Sequence, residues 1–232
     1  MRIVIVSDIH GNYDALSALT ESYDELWVLG DLVNYGLEPK QVVDFVKDKA
    51  TLVVRGNHDQ CIGYGSDPRC SVRFREMAAA TRWFSAAVVT REQKAYLRSL
   101  PLQINCARSQ TQFYLCHATP SDPLYEYRGA DSDKWPDDCA QLDADVIFVG
   151  HTHIPFIRPF DGQILVNPGS LGQPKTGRPD ACYAVWEDGQ VSLRSYAYPV
   201  NKTIDKIRLM PVGKAVQIDL IHVLESGGQA PR

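Results

Sequence analysis

Five of the six histidines lie in short motifs with acidic, glycine or asparagine neighbours: Asp8-Ile9-His10, Gly30-Asp31, Gly56-Asn57-His58-Asp59, Cys116-His117 and Gly150-His151-Thr152-His153. Histidine and carboxylate gathered without a cysteine framework are ligands for borderline divalent metals, which polarise bound oxygen. Asp8 and His10, and again His151 and His153, are spaced i, i+2. In extended backbone that spacing turns both side chains to one side, so Asp8 and His10 are expected to reach a single ion. Asp31 offers two oxygens and can bridge two ions. Asn57 adds a neutral carbonyl donor, and His117 completes a set that could hold two five- or six-coordinate ions sharing one carboxylate. Paired ions ~3.5–4 Å apart hold a hydroxide between them and clamp the oxygens of a phosphoryl group. His58 neighbours a ligand without being needed as one, which leaves it free to act as an acid for a leaving group.

Each motif follows a hydrophobic run that reads as a strand. Residues 2–6, 25–29 and 51–54 are such runs, separated by helical patterns opening at Asn12 and at Pro39, and together they form a βαβαβ unit with parallel strands. Residues 61–100 break this rhythm with a helical insertion: one helix around 74–87 and a second from Thr90, for which Gln93 supplies a capping box. Further strands are expected at 102–105, 112–116, 145–149, 155–158, 163–167, 181–187 and 190–197, with hairpin turns at Asp161-Gly162 and Asp188-Gly189. Two short helices follow from Asn201. The expected organisation is one domain over 1–225 and a disordered tail at 226–232.

The 232 residues carry a net charge of -4, 44% hydrophobic and 22% charged residues, ordinary values for a globular protein. No broad basic field is present to attract duplex nucleic acid, and no stable nucleic-acid partner is expected. Six scattered cysteines without a CxxC motif read as buried free thiols in a reducing compartment. With no leader-like h-region and no apolar stretch long enough to span a bilayer, a cytoplasmic protein without membrane contact is expected.

The set Asp8-x-His10, Gly30-Asp31-x-x-Asn34-x-Gly36, Gly56-Asn57-His58-Asp59, His117 and Gly150-His151-x-His153 resembles the signature of the calcineurin-like metallophosphoesterases, over residues 1 to about 200. The resemblance implies an α/β fold: a four-layer α-β-β-α sandwich of two mixed sheets flanked by helices, with a dimetal site at the sheets' edge. It implies that Asp8, His10, Asp31 and His153 hold one ion, and Asp31, Asn57, His117 and His151 the other. It gives His58 as proton donor, and the ions would be Mn, Fe, Zn, Co or Ni. Where the protein phosphatase branch reads GDxVDRG, this chain has Asn34 and Tyr35. Asn34 can still orient His58 but cannot stabilise an imidazolium as a carboxylate would. Tyr35 removes a bidentate phosphate clamp. Both departures are similar to the small bacterial and archaeal phosphodiesterases.

The expected activity is therefore hydrolysis of phosphate diesters by in-line attack of a metal-bridging hydroxide, on a small-molecule phosphate ester or nucleotide. Phosphomonoesterase, protein phosphatase and diadenosine-polyphosphate hydrolase are the rivals, and a non-catalytic scaffold ranks below them. Arg55 and Asn12 are candidate substrate contacts, with a surface arginine and a helix cap as their plainer readings. Lys175 and Arg178 could line the pocket mouth, and the polar-aromatic stretch 122–135 could border substrate. Asp59 reads as a support or turn residue, His222 as structural or surface. Tyr13, Tyr35 and Tyr64 read as packing rather than base-stacking residues.

Overall fold

The computed structural model describes residues 1–228. Among these, ten strands form two five-stranded sheets. Numbered in chain order, the strands are β1 (Arg2–Val6), β2 (Glu25–Val28), β3 (Leu52–Val53), β4 (Gln103–Arg108), β5 (Thr111–Cys116), β6 (Val146–Phe148), β7 (Phe156–Phe160), β8 (Gln163–Asn167), β9 (Ala181–Glu187) and β10 (Gln190–Tyr196). The first sheet runs β10-β9-β1-β2-β3 and the second β4-β5-β6-β8-β7. In the first, β1, β2 and β3 are parallel while β9 and β10 return antiparallel. In the second, β5, β6 and β8 are parallel while β4 and β7 are antiparallel edges. Each sheet is thus mixed around a parallel centre.

The alternation of β1 and β2 explains the layering. Ile3, Ile5, Trp27 and Leu29 face the second sheet and meet Phe113, Leu115, Phe148 and Val166 in a dry seam. Trp27 packs edge-on against Phe113, with ring centroids 4.9 Å apart. Val4, Val6, Leu26 and Val28 face outward onto the apolar stripes of α1 (Tyr13–Ser17), α2 (Pro39–Lys49) and, from the insertion, Leu97. The outer face of the second sheet, Tyr114, Ile147 and Leu165, is covered by Trp135 and Cys139. These two residues bound a short helix that the sequence pattern did not reveal.

The insertion starts earlier than its composition suggests. Residues 57–64 already form a helix, α3 (Asn57–Tyr64), whose N-cap Gly56 donates its backbone N–H to the Asp59 carboxylate at 3.0 Å. It continues through α4 (Arg75–Val88) and α5 (Arg91–Ser99), the latter opened by the expected Thr90/Gln93 reciprocal cap. The Trp135–Cys139 helix is α6. α7 (Val200–Leu209) and α8 (Lys214–Ser226) pack with α4 into a separate apolar cluster that includes Tyr35. Ser226 belongs to α8, and Gly227 caps it in the left-handed conformation and accepts the Gly177 N–H. The tail expected at 226–232 is therefore structured up to residue 228, and residues 229–232 lie outside the described residues.

Both Asp-Gly turns close hairpins, β7–β8 and β9–β10. A third hairpin, β4–β5, turns at Ser109-Gln110, where two non-glycine residues take φ of 47° and 69°. All six cysteines are free. No helix among the described residues is long and apolar enough to cross a membrane.

Trp27 holds the two sheets together one turn of chain before the site. Trp27→Ala is expected to lower the unfolding free energy by about 3–5 kcal/mol, read by urea denaturation; a loss under about 1 kcal/mol would show that the seam repacks.

Candidate metal centre

The carboxyl ends of the parallel strands of both sheets open toward one cavity, the usual location of ligand sites in open α/β sheets. Asp8 and His10 follow β1, Asp31 and Asn34 follow β2, and Asn57 and His58 follow β3. From the other sheet, His117 follows β5, and His151 and His153 follow β6. Asp8, His10, Asp31, Asn57, His58, His117, His151 and His153 are all buried.

Their backbone is not extended. Asp8 (φ 53°), His10 (50°), Asp31 (57°), Asn34 (69°), Tyr35 (62°), His151 (64°) and His153 (62°) all occupy the left-handed region. The extended route for the pair at 8 and 10 is thus corrected: Asp8 and His10 meet through two left-handed residues, while His151 and His153 turn to separate groups as the resemblance implies. Such conformations cost about 1 kcal/mol or more each and persist where the surroundings over-determine them. Here backbone bonds between loops do so: Asp8 N–H to Gly30 O (3.0 Å), His10 N–H to Asp31 O (2.9 Å) and Gly11 N–H to Leu32 O (2.8 Å).

In the first group His153 Nε2 lies 3.2 Å from His10 Nε2 and 3.3 Å from Asp8 Oδ1. His10 Nε2 is 3.8 Å from Asp8 Oδ1 and from Asp31 Oδ2. His10 Nδ1 donates to Val33 O (3.2 Å) and His153 Nδ1 to Gln173 O (2.7 Å). Because a carbonyl only accepts, these bonds fix the tautomers and leave both Nε2 lone pairs facing each other. Asp8 Oδ2 accepts from Ser7 Oγ (2.6 Å) and His151 N–H (3.1 Å), whereas Asp8 Oδ1 is buried without a hydrogen-bond partner.

The second group repeats the logic. His117 Nδ1 donates to Leu29 O (2.7 Å) and His151 Nε2 to Tyr125 O (3.3 Å). His117 Nε2 then faces Asn57 Oδ1 at 3.0 Å, His151 Nδ1 at 3.1 Å and Asp31 Oδ2 at 3.3 Å. Asn57 Nδ2 donates to Pro68 O (2.7 Å), which turns its oxygen inward. Asp31 Oδ1 accepts the His58 backbone N–H at the start of α3 (2.8 Å), so Oδ2 is the oxygen left between the two groups. Acceptors facing acceptors fit a cation: cis donors around an ion with bonds of ~2.1 Å lie ~3 Å apart. Asp8–His10–His153 and Asp31–His117–His151 are each clustered closely enough to hold an ion.

Burial and the surrounding charges set the electrostatics of these groups. Burial pushes His10 down to about 3 and His58 to about 4, with Asp31 opposing in both, and burial lowers His151 as well. Burial alone would lower His117 too, but the charges of Asp31 and Asp8 and the Asp31 hydrogen bond raise it to about 9. Burial works against ionisation of Asp8 and Asp31, yet the histidines facing them, His153 for Asp8 and His117 for Asp31, hold both carboxyls below the usual range.

His58 stands beside these groups. The Asn34 amide donates to its Nδ1 at 2.6 Å, which places the ring proton on Nε2. That nitrogen faces Cys70 Sγ at 3.3 Å. Tyr35, buried in the position of the phosphatase arginine, packs edge-on against His10 (4.9 Å) and against the His58 ring (5.0 Å), and its hydroxyl contacts Cys70 Sγ. Asp59 takes three backbone N–H groups, from Asp31 (2.8 Å), Leu32 (2.9 Å) and Gly56 (3.0 Å), and so ties the β2 and β3 loops together. Two glycines leave room for carboxylates: a Cβ on Gly56 would strike Asp31 Oδ1, and one on Gly150 would strike Ser7 Oγ.

The nine residues expected to act as ligands or acid machinery are brought together, and Asn12 lines a small cavity with His10 and Tyr35. Arg55 donates to Arg98 O (2.8 Å) and the Tyr64 hydroxyl (3.2 Å), joining α3 to α5. Asn12 caps α1 through Ala15 N–H and donates to Gly172 O and the Tyr198 hydroxyl, so its polar atoms are used within the fold. Lys175 lies over the Phe74 ring at 4.7 Å, and His222 is exposed on α8. Tyr13 packs on Phe45. The 122–135 stretch does border the centre, through Tyr125 O and through Tyr127, whose ring lies 3.9 Å from that of His151. Sequence reasoning missed Ser7 and Cys70, whereas Tyr127 lies in the long 122–135 segment expected to border substrate.

Residues 1–188 match the calcineurin-like phosphoesterase superfamily domain. An uncharacterised protein of Methanocaldococcus jannaschii is 32% identical over 229 residues, covering 88% of this chain and 91% of its own length. A symmetrical bis(5′-nucleosyl)-tetraphosphatase of Vibrio campbellii is 34% identical over 134 residues, 54% of this chain and 47% of the relative, so the chain spans less than half of that enzyme. Among solved structures, a metallophosphoesterase from Sphaerobacter thermophilus superposes with a TM-score of 0.81 at 29% identity, covering 95% of this chain and 98% of its own. A hypothetical protein from Pyrococcus horikoshii OT3 shares the fold, with a TM-score of 0.84 at 20% identity and 99% coverage of both chains.

Asp59→Asn turns one acceptor into a donor facing backbone N–H groups. It is expected to cost about 1–3 kcal/mol of unfolding free energy, measured by urea denaturation; unchanged stability would mean that the three amides find other acceptors.

Proposed function

The chain belongs to the calcineurin-like phosphoesterase superfamily and is a metal-dependent hydrolase of phosphate esters; on that premise we propose that it is a phosphodiesterase working with two divalent ions. The observation that carries this reading is the pair of facing acceptor groups joined by Asp31 Oδ2. Asp8, His10, Asp31 and His153 would hold one ion, and Asp31, Asn57, His117 and His151 the other. Mn, Fe, Zn, Co and Ni all suit mixed nitrogen and oxygen donors without thiolate. When bound, such ions supply an activated water and neutralise charge on the phosphoryl oxygens.

The chain's own residues do the rest. Two carboxylates set against two divalent ions leave net positive charge to receive a phosphate anion. His58, hydrogen-bonded at Nδ1 by Asn34, would present its Nε2 proton to the leaving oxygen. Gly56 and Gly150 leave room that a Cβ would take from the Asp31 carboxylate and from the Ser7–Asp8 pair. The buried, apolar-backed cavity excludes bulk water and strengthens each of these interactions. A reducing, cytoplasmic setting agrees with six free thiols.

A second reading, cleavage of a phosphoanhydride in a dinucleoside polyphosphate, has its own support. Asn34 is neutral and lends no charge to an imidazolium, so substrates whose leaving group needs little protonation are served best. Nucleotide phosphates are such leaving groups, and the Vibrio campbellii relative carries a tetraphosphatase name. Either internal phosphorus is disubstituted, so one site geometry suits both. A panel of bis(4-nitrophenyl) phosphate, 4-nitrophenyl phosphate, 2′,3′-cyclic AMP and diadenosine tetraphosphate, each with Mn, Zn, Co or Ni, separates the readings. Diester turnover with little monoester turnover is expected. A metal-free protein inert to the whole panel after growth with added metal would favour a scaffold.

His58→Ala is expected to cut turnover of 2′,3′-cyclic AMP by about 10²–10⁴-fold and that of the nitrophenyl diester far less. Equal losses would remove His58 from the acid role. Asp31→Ala is expected to abolish paired metal binding, seen as at most one ion per chain by elemental analysis; two retained ions would refute the bridge.

A further inference from the structure

Arg69 is the residue the reaction above leaves unused. It sits in the insertion loop between two residues that touch the centre: Pro68 O accepts from Asn57 Nδ2 at 2.7 Å, and Cys70 Sγ faces His58 Nε2 at 3.3 Å. Its guanidinium lies over the Tyr125 ring, 4.4 Å from its centroid. The Tyr125 carbonyl in turn receives the His151 proton. Arg69 therefore spans from the His58 side of the centre to the His151 side. Its side chain is exposed and has no carboxylate partner among the described residues.

The backbone marks the same position. Arg69 has φ 53° and is held there by its own N–H bonded to Asp67 Oδ1 at 2.7 Å. Apart from the hairpin-turn residues Ser109, Gln110 and Asp188, every other non-glycine residue with positive φ belongs to the centre or to the Asn34-Tyr35 pair beside His58. Strain of this kind is maintained where a side chain must be aimed. The motif position that would carry a phosphate-gripping arginine is Tyr35, buried and apolar in its contacts. A planar guanidinium with free donors, next to the acid that serves the leaving group, provides the missing anion contact from a different segment of the chain.

We propose that Arg69 is a specificity-determining residue that grips an anionic leaving group, so that the site prefers phosphoryl compounds whose departing half carries its own phosphate over diesters of uncharged alcohols or phenols. This rests on the hydrolase reading of the metal centre, and deepens it by assigning the side of the substrate that Arg69 reads. The Tyr125 ring gives the guanidinium a flat surface to pivot on, and the half-exposed Tyr127 lies against the His151 ring two residues along.

The test compares kcat/KM for diadenosine tetraphosphate and for bis(4-nitrophenyl) phosphate in the wild type, Arg69→Ala, Arg69→Lys and the exposed helix control Arg91→Ala. Arg69→Ala should lower the ratio of the two substrates at least ~10-fold, mostly through KM. Arg69→Lys should recover part of it, since the charge is kept and the fork is lost. Arg91→Ala should match the wild type. A ratio in Arg69→Ala within about twofold of the wild type overturns the proposal. If the wild type cleaves neither compound, the hydrolase reading fails by itself, and calorimetry with inorganic pyrophosphate on the metal-loaded protein decides the role of Arg69. Binding weakened ~10-fold in Arg69→Ala upholds the anion grip, and equal affinity overturns it.

Discussion

Buried acceptors confront one another at the centre of this protein. Asp8 Oδ1 has no hydrogen-bond partner, and two pairs of imidazole nitrogens face each other at 3.1–3.2 Å. Left to relax, such groups would turn away or take up protons. They are prevented from turning because every ring is pinned from behind: His10 by Val33 O, His117 by Leu29 O, His151 by Tyr125 O and His153 by Gln173 O. Asp8 and Asp31 are pinned likewise, each through one oxygen, by Ser7 and by the first turn of α3. The arrangement is pre-organised for a cation, and the protein has already met the cost of collecting the donors.

That cost is carried by the rest of the fold. Seven left-handed non-glycine residues around the site store several kcal/mol of backbone strain at about 1 kcal/mol or more each. The Trp27–Phe113–Phe148 seam and the loop-to-loop backbone bonds repay it. The two-sheet sandwich matters for geometry as well. Leu29 lies in the seam between sheets, and its carbonyl orients His117 from the opposite sheet. A slip of one sheet against the other would therefore misplace a ligand. Beyond the seam, α4, α7 and α8 pack on Tyr35 and close the side of the cavity behind His10 and His58.

The acid machinery is electrically quiet. Asn34 and Tyr35 replace a carboxylate and a cation with a neutral amide and a buried ring, so His58 sits between groups that orient it without charging it. The donors able to hold ions lie at strand ends, while Cys70 and Tyr127, which touch His58 and His151, come from the insertion loop and the 122–135 segment.

Much of this was legible from residue types. The strand patterns of 2–6, 25–29, 112–116 and 163–167, the two Asp-Gly hairpins and the Thr90 cap are local signals, and local physics decided them. The donors that cluster were legible too, because metal chemistry restricts the donor types at a strand end. What periodicity could not see were contacts between segments distant in the chain. Asn57–Tyr64 is helical because Asp59 is shared between its own N-terminus and the Asp31 loop, a bond across 28 residues. Arg55 and Asn12 were plausible substrate contacts until the fold gave their donors to Arg98 O, Gly172 O and Tyr198. The chain's own order of residues settled which donors exist and which elements carry them. Only the tertiary structure decided that Cys70 rests on His58 and that Arg69 lies over Tyr125, because those outcomes depend on left-handed turns and on loops meeting across two sheets.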